Sequence, residues 1–392
     1  MTKGRVAITG ATGILGSWVL AEALRRGYSP VAIMRDKSID DARLRLKAVL
    51  GLTAMKDAER DVEIMIGDST KEGLGLSSTD ATSLLHSIDA FIHCAACTSF
   101  SPAQDDEVLA TNVGGTSNVL RFVEQMDVPL YHVSTAYVCG KRTGTIAERD
   151  LDHDAGYNNT YERSKNEAER LVRSAFTEGR AAGAVFRPGI IVGASDSAHI
   201  CQFSNFYNML QAIEYSVVRA ARNGKCVRIA GDASCTKNLI PVDWSARQLW
   251  DAIETEGANG ATHHLTNPTP PTMSFIVEWL NELFADRGVS IQMLPALDDA
   301  DGHIKRATKP FEGYLLEEPI FDRENMDRAT RHGAPCPEFT AEFMTKLYHY
   351  AKSQQWRSIF DTRRRSGHST NGASNRLHVP VADREPQATP SI

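Results

Sequence analysis

The sequence predicts an α/β fold with a doubly wound parallel sheet and a smaller C-terminal lobe, on three observations. Short β-branched apolar runs alternate with longer helical segments over residues 5–188, which is typical of parallel βαβ units. A glycine-rich turn at residues 9–16 follows the first apolar run directly and opens the first helical segment. After Gly193 the alternation becomes irregular, which indicates a separate lobe.

Six short apolar runs are predicted to form the strands of this sheet. They are residues 6–9, 31–34, 62–66, 90–93, 130–134 and 184–187. The segments between them carry apolar residues at helical spacing with polar residues opposite, so we expect helices that cover both faces of the sheet. The predicted helices are residues 14–26, 39–50, 107–125 and 161–176, with two further stretches near 203–222 and 274–284 in the C-terminal lobe.

The turn after the first strand reads Gly10-Ala11-Thr12-Gly13-Ile14-Leu15-Gly16 and has the spacing of a dinucleotide-binding turn. Gly10 permits the tight turn, Gly13 lets the backbone approach a pyrophosphate, and Gly16 lets helix and strand pack closely. The N–H groups at the start of the helix would face the anion. This Rossmann-type turn makes Gly10 and the residues Thr12, Gly13, Ile14, Leu15 and Gly16 candidates for binding a nicotinamide dinucleotide.

The end of the second strand bears on the choice between NADP and NAD. Enzymes that use NAD commonly have an acidic residue there for the ribose 2′-hydroxyl, whereas this chain reads Arg35-Asp36. The guanidinium of Arg35 can pair with a 2′-phosphate, which favours NADP. If Asp36 faces the ribose instead, NAD becomes possible. Asp68, after the third strand, can accept a hydrogen bond from the adenine amino group, or can form an ordinary turn or helix cap.

Tyr161 and Lys165 lie one turn apart on a predicted helix and therefore share a face. A free phenol has a pKa of about 10 and is a poor proton donor and acceptor at neutral pH. The ammonium of Lys165 and the positive charge of a nicotinamide ring would lower that pKa, so we expect Tyr161 to act as the acid. Thr135, at the end of the fifth strand, is expected to hydrogen-bond the substrate carbonyl, with Ser134 as the alternative.

The composition narrows the class of protein. Of the 392 residues 42% are hydrophobic and 23% are charged, which predicts a folded globular protein for most of the chain. The formal net charge of -6 provides no basic field for nucleic acid or an anionic membrane, so a small-molecule substrate is favoured. No run approaches the roughly 20 apolar residues of a membrane span, and no leader precedes the first strand, so we expect a cytoplasmic protein.

The cysteine and histidine pairs are not expected to bind metal. The seven cysteines are scattered, which argues against a disulfide framework. Cys94 and Cys97 have C-x-x-C spacing, but the sequence has no second ligand pair at zinc-finger spacing, so a structural role is favoured. His263 and His264 are expected to be loop or strand-end residues.

Residues 4 to about 345 resemble the extended short-chain dehydrogenase/reductase superfamily. The motifs that carry the resemblance are the glycine turn, Thr111-Asn112-Val113, the strand-end Thr135, the Tyr161 and Lys165 pair, and Arg187-Pro188-Gly189. Within the superfamily the chain is most similar to the thioester reductase and fatty acyl-CoA reductase branch, the male sterility type. The supporting stretches are Met34-Arg35-Asp36, Ala42-Arg43-Leu44-Arg45-Leu46, Gly67-Asp68 before Leu74-Gly75-Leu76, and His93-Cys94-Ala95-Ala96-Cys97-Thr98.

The resemblance implies that NADPH reduces an acyl thioester, bound to coenzyme A or to a carrier protein, to an aldehyde and sometimes to the alcohol. Thr135 and Tyr161 would stabilise the oxyanion before the thiol leaves. The implied cofactor-binding residues are Gly10, Gly13, Gly16, Arg35, Asp68, Ala95, Asn112 and Lys165, with Arg45 as a second contact to the 2′-phosphate. The chain has no room for a carrier domain, so a carrier protein is expected to bind in trans.

Two other functions remain open at this point. The same residues would serve a reductase or dehydrogenase of a free ketone, aldehyde or alcohol, and the fold also occurs in non-catalytic nucleotide-binding scaffolds. For the domains we expect an NADP-binding Rossmann domain at residues 1–195 with a return segment at about 238–266. A substrate lobe is expected at 196–237 and 267–361, and a disordered tail at 362–392.

Overall fold

The structure is a computed structural model that describes residues 3–222, 226–257, 259–297 and 312–361. The strands of the described residues are β1 (Arg5–Thr9), β2 (Ser29–Met34), β3 (Glu63–Ile66), β4 (Ala90–His93), β5 (Leu130–Val133), β6 (Thr145–Ile146), β7 (Gly183–Pro188), β8 (Ile190–Val192), β9 (Val227–Ala230), β10 (Leu239–Pro241), β11 (Thr262–Leu265), β12 (Ile291–Leu294) and β13 (Ile320–Phe321). The predicted disordered tail, residues 362–392, lies outside the described residues.

Seven of these strands form one parallel sheet in the order β11-β7-β5-β4-β1-β2-β3. This confirms the doubly wound sheet, and the six predicted strands are present with ends that differ by at most two residues. The strand order reverses between β1 and β4. In open α/β sheets a ligand binds at such a switch point, beside the carboxyl ends of the strands.

The seventh strand of the sheet, β11, is not among the six predicted ones. Its sequence, Thr-His-His-Leu, lacks the β-branched run that marks the others. His263 and His264 lie inside this buried strand and pair with Phe186 and Arg187 of β7, so the expectation of loop or strand-end positions is wrong. Backbone pairing with β7, which is distant in sequence, gives these residues strand structure.

Helices cover both faces of the main sheet, and others belong to a second core beside it. They are α1 (Ile14–Arg25), α2 (Ile39–Leu52), α3 (Ser78–Leu85), α4 (Asp105–Leu109), α5 (Gly115–Val123), α6 (Thr160–Thr177), α7 (Phe206–Ala221), α8 (Val242–Glu256), α9 (Met273–Leu283), α10 (Glu312–Leu316), α11 (Glu324–Ala329) and α12 (Ala341–Ser353). Along β1, Val6 and Ile8 pack into one core with α1, α2 and α8, whereas Ala7 packs into the other with α3, α5 and α6.

The predicted helix at residues 107–125 is interrupted in the structure. A π-helical turn, Ala110–Gly114, separates α4 from α5. The side chain of Asn112 within this turn bonds to two other segments, and Gly114 and Gly115 offer little resistance to a change of helical geometry. The α-helical periodicity is therefore broken where the side chain of Asn112 is directed into the protein.

A second hydrophobic core lies beside the sheet and involves α7, α9 and α12 together with the two-stranded sheet of β9 and β12. Trp279 of α9 is almost fully buried there and donates its indole N–H to Thr345 of α12 at 2.9 Å. The pair β8 and β10 runs from the end of the main sheet towards this core. Among the described residues, no helix has the length and apolarity that crossing a bilayer requires.

Candidate active site

The glycine turn has the geometry that a bound pyrophosphate needs. Gly10 has φ of 72°, and a Cβ at Gly10 would lie 2.6 Å from the backbone nitrogen of Ala95. A Cβ at Gly16 would lie 2.1 Å from the carbonyl oxygen of Gly10, so only glycine lets α1 pack this closely. Gly13 is the N-cap of α1, and in the described part of the chain no side chain caps it. The predicted residues Ile14 and Leu15 form the first turn of α1, where N–H groups can meet an anion.

The predicted ribose-binding corner contains an ion pair. Arg45 binds the carboxylate of Asp36 at 3.0 and 3.1 Å and donates to the hydroxyl of Thr12 at 2.8 Å. The Asp36 side chain is only 8% exposed, whereas Arg35 is exposed at the end of β2. The ring of Phe360 lies 4.9 Å from the Arg45 guanidinium and covers one of its faces. Arg45 therefore neutralises the acidic residue that would otherwise favour NAD.

Asp68 lies just after β3, and Ala95 lies just after β4. Asp68 accepts hydrogen bonds from the backbone N–H of Thr70 at 3.0 Å and from its hydroxyl at 2.8 Å, which is the ordinary turn that the sequence left open. Ala95 is half-buried after β4, and its backbone touches the glycine turn. Contacts of either residue with a cofactor stay predictions.

Asn112 is buried and its side chain amide is engaged within the protein. Its oxygen accepts from the backbone N–H of Cys97 at 2.8 Å, and its nitrogen donates to the Cys97 carbonyl at 3.0 Å and to Ser164 at 2.8 Å. These bonds join the loop after β4 to α6. The geometry favours a residue that positions this loop and α6, and direct cofactor binding by Asn112 stays a prediction.

Thr135 and Tyr161 line the same cleft, so the structure brings these two predicted residues together. Thr135 follows β5, and Asn159 caps α6 by accepting from the backbone N–H of Glu162 at 2.9 Å, which places Tyr161 in the first turn. Ser134 is buried, and its hydroxyl has no hydrogen-bond partner among the described residues. Thr135 lines the cleft with Tyr161, which favours Thr135 over Ser134.

Burial raises the pKa of Tyr161 to about 12, although the hydrogen bond from Thr135 opposes this and Glu162 and Cys97 add to it. Lys165 is almost fully buried and donates to the carbonyl of Val133 at 2.6 Å. Burial lowers the pKa of Lys165 to about 8. Among the chain's own groups burial has the largest effect on the pKa of Tyr161, and the lowering expected from a bound nicotinamide ring stays a prediction.

Thr135 and Tyr161 open into a cleft between the sheet and the second core. Sequence reasoning missed several of its residues, among them Phe100, Tyr137, Lys237 and Tyr314. Tyr137 follows Thr135 closely and Lys237 precedes the Asn238-Leu239-Ile240-Pro241 stretch, so these two positions carried a signal. Tyr314 is more than 150 residues from the start of α6 along the chain, and no local pattern marks it.

The family model of the male sterility protein matches residues 8–249, which include the end of β1, all of β2 to β5, the glycine turn, Thr135, Tyr161 and Lys165. The chain belongs to the male sterility protein family. This places it in the extended short-chain dehydrogenase/reductase superfamily, as the motifs predicted, and it shares the NAD(P)-binding domain of that superfamily.

Three similar proteins add to this assignment. A component of the linear gramicidin synthase of Brevibacillus parabrevis is 24% identical over 387 residues, which are 91% of this chain but only 7% of that protein. The terminal R domain of the myxalamid PKS-NRPS pathway superposes with a TM-score of 0.76 at 22% identity, covering 91% of this chain and 92% of that one. A thiolation-reductase di-domain from an archaeal non-ribosomal peptide synthetase gives 0.72 at 20%, covering 90% and 76%. These structural matches show a shared fold.

His93 and the thiol of Cys94 lie close enough to Lys165 for its charge to affect their pKa values. His93 is hydrogen-bonded to Thr9 at 2.7 Å, and burial together with the charge of Lys165 lowers its pKa to about 3. Burial raises the pKa of the Cys94 thiol to about 12, which disfavours a reactive thiolate. Within residues 3–222, 226–257, 259–297 and 312–361, no group of three or more His, Cys, Asp or Glu side chains is arranged to hold a metal ion.

Proposed function

We propose that the protein is an NADPH-dependent reductase that transfers hydride to the carbonyl carbon of an acyl thioester and releases an aldehyde. The observation that carries the proposal is the cleft at the carboxyl end of β5, which Thr135 and Tyr161 line together. β5 is separated from β1, which carries the glycine turn, only by β4. Because neighbouring strands lie about 4.8 Å apart, the carboxyl ends of β1 and β5 are about 10 Å apart along the sheet edge.

Several residues fit a bound NADPH. Because Gly10 and Gly16 have no Cβ, the glycine turn and α1 can pack closely together. The N–H groups at the start of α1 can then meet a pyrophosphate. Arg35 and Arg45 would bind the 2′-phosphate. The ion pair with Arg45 reduces the repulsion that the carboxylate of Asp36 would exert on this phosphate. When bound, NADPH supplies the hydride.

The remaining chemistry is assigned to side chains of this chain. As the carbonyl carbon is reduced, negative charge develops on its oxygen, and the hydroxyls of Thr135 and Tyr161 donate hydrogen bonds to it. Since the pKa of Tyr161 is about 12, its phenol is protonated at neutral pH and can give its proton to that oxygen. Lys165, held by the Val133 carbonyl, is assigned to the nicotinamide ribose. As the C–S bond breaks, the proton on the oxygen returns to the Tyr161 phenolate, the C=O bond of the aldehyde re-forms, and the departing thiolate takes a proton from water.

The thioester is favoured over a free carbonyl by the similar proteins. Two of them belong to peptide synthetases, and one is described as a thiolation-reductase di-domain. This chain spans only 7% of the gramicidin synthase component, so the activity of that whole protein does not transfer to it. We infer that a carrier-bound or coenzyme A-bound acyl group is delivered to the cleft by a separate partner.

The test is to incubate the purified protein with NADPH and a panel of acyl thioesters, beside the matching free aldehydes and ketones. Absorbance of the reduced cofactor follows turnover, and chromatography identifies the aldehyde. Thioester-dependent oxidation with aldehyde release is the expected result. Activity on free carbonyls alone would replace the proposal with a carbonyl reductase, and NADPH binding without turnover on either panel would indicate a scaffold.

A further inference from the structure

The cleft beside Thr135 is walled by aromatic rings. Phe100 stacks on Tyr314 with ring centroids 6.1 Å apart and lies 5.9 Å from the ring of Tyr161. Tyr137 meets Tyr314 edge to face at 5.4 Å. The rest of the lining is mostly aliphatic or aromatic and includes Ile190, Phe206, Met209, Leu239 and Leu315. Such a predominantly apolar lining is typical of sites that bind small ligands.

The positive charge on the cleft wall is already paired within the protein. Lys237 is 3% exposed, and its ammonium donates to the Tyr314 carbonyl and lies 3.9 Å from Glu318. Glu318 also accepts from the hydroxyl of Tyr137 at 2.6 Å. This ammonium is therefore poorly placed to bind a carboxylate on a substrate.

The carboxylate of Glu162, which accepts a hydrogen bond from Tyr314, is also engaged within the protein. Glu162 is fully buried and accepts from the backbone N–H of Asn158 at 2.8 Å, from the Asn158 amide, and from the hydroxyl of Tyr314. Among the cleft-lining side chains that the structure describes, the remaining amide, Asn205, carries no charge. An acyl group with a free ammonium would lose its water in this cleft without gaining an ionic partner.

We propose that the cleft binds the acyl group of the substrate and selects uncharged, apolar acyl groups, aliphatic or aromatic. It rejects acyl groups that carry a free carboxylate or a free α-ammonium. This inference rests on the proposed thioester reduction and adds the substrate class to it. Rings and aliphatic side chains gain by covering apolar surface, whereas a charge in the same place meets no free counterion among the lining residues that the structure describes.

The first experiment compares N-acetylcysteamine thioesters of the same six-carbon length. They are the hexanoyl, the adipoyl and the 2-aminohexanoyl thioesters, with the N-acetylated 2-aminohexanoyl thioester as a control that removes the positive charge. We expect kcat/KM for hexanoyl to exceed that of both charged substrates by about 100-fold, and N-acetylation to restore at least about tenfold. A charged substrate within about threefold of hexanoyl overturns the proposed class.

Two variants test whether this cleft is the acyl site. Met209→Lys places an unpaired ammonium on the wall, so the adipoyl-to-hexanoyl ratio of kcat/KM should rise at least about tenfold. Phe100→Ala removes one ring of the stack, and KM for hexanoyl should rise about tenfold. Leu171→Ala, on the outer face of α6, is the matched control and should change neither quantity. Unchanged ratios in Met209→Lys together with an unchanged KM in Phe100→Ala would overturn the assignment.

Binding of amide analogues separates this inference from the proposed function. In these analogues nitrogen replaces the thioester sulfur, and calorimetry in the presence of NADP measures their affinity for the full chain. If no thioester is reduced but the hexanoyl amide binds at least about tenfold more tightly than the adipoyl amide, the proposed reaction fails and the selectivity of the cleft stands. If thioesters are reduced and the amides bind equally, the reaction stands and the selectivity fails.

Discussion

Replacing Arg45 with alanine removes the side chain that joins Asp36 to Thr12 at the ribose-binding corner. The carboxylate of Asp36 would then be free to repel a 2′-phosphate and to accept a hydrogen bond from a 2′-hydroxyl. Hydrogen bonds to charged groups contribute about 1.5–3 kcal/mol. If about 2 kcal/mol of this acts on the 2′-phosphate, KM for NADPH rises about 30-fold, since 1.4 kcal/mol corresponds to a factor of ten.

The assay is steady-state oxidation of NADPH and of NADH at a saturating thioester concentration. KM for NADH should stay constant or fall in Arg45→Ala, so the preference for NADPH drops by at least the same factor. Arg43→Ala is the matched control, because Arg43 lies on the same helix and donates to the Glu59 carbonyl at 2.7 Å. A KM for NADPH within about twofold of wild type in Arg45→Ala would refute the role assigned to this ion pair.

Three further predictions concern the fold that supports the site. Arg187 and Glu169 form an ion pair at 2.6 Å in which both side chains are 0% exposed. Glu169→Gln weakens this pair, so the free energy of unfolding in urea should fall by about 3 kcal/mol. A loss under about 1 kcal/mol would contradict this. Gly16→Ala should abolish NADPH binding in calorimetry, because its Cβ would meet the Gly10 carbonyl. The control Gly51→Ala in α2 should bind NADPH normally, because its Cβ would have nothing within 4 Å. Equal binding by both variants would show that the close packing of Gly16 on Gly10 is not required. The third prediction concerns pH. The pKa of Lys165 falls from 10.5 to about 8 on folding, so between pH 8 and pH 10.5 the unfolded chain binds more protons than the folded chain. The free energy of unfolding should therefore rise with pH in this range. Relative to Lys165→Met, the gain from pH 8 to pH 10 should be about 2 kcal/mol in urea unfolding, and parallel curves for the two proteins would disprove it.

Local patterns were sufficient for the Rossmann part of the fold. The β-branched runs predict the strands, and the spacing of Gly10, Gly13 and Gly16 predicts the glycine turn. Helical spacing predicts that Tyr161 and Lys165 share a face. β11 could not be found this way, because Thr262–Leu265 becomes a strand only through pairing with β7. The interruption of the helix at Ala110–Gly114 depends on the bonds of Asn112 to distant segments.

The substrate side of the site depends on long-range contacts and was largely invisible in the sequence. Tyr314 reaches Glu162, and Glu318 reaches Tyr137, from a segment between 150 and 185 residues further along the chain. Helical spacing places Lys165 on the same face as Tyr161 but does not reveal that burial is the largest cause of the shift in the pKa of Tyr161. Spacing predicts which side chains are neighbours, and burial then decides their protonation.

The measurement that tests the account most directly is turnover of Tyr161→Phe with an acyl thioester that the wild type reduces. Removing one donor to a developing oxyanion costs a factor of about 10² to 10³ in kcat. We therefore expect kcat to fall by at least about 100-fold, while calorimetry gives an NADPH affinity within about twofold of wild type. A kcat within about threefold of wild type would show that the phenol of Tyr161 does not serve the carbonyl oxygen.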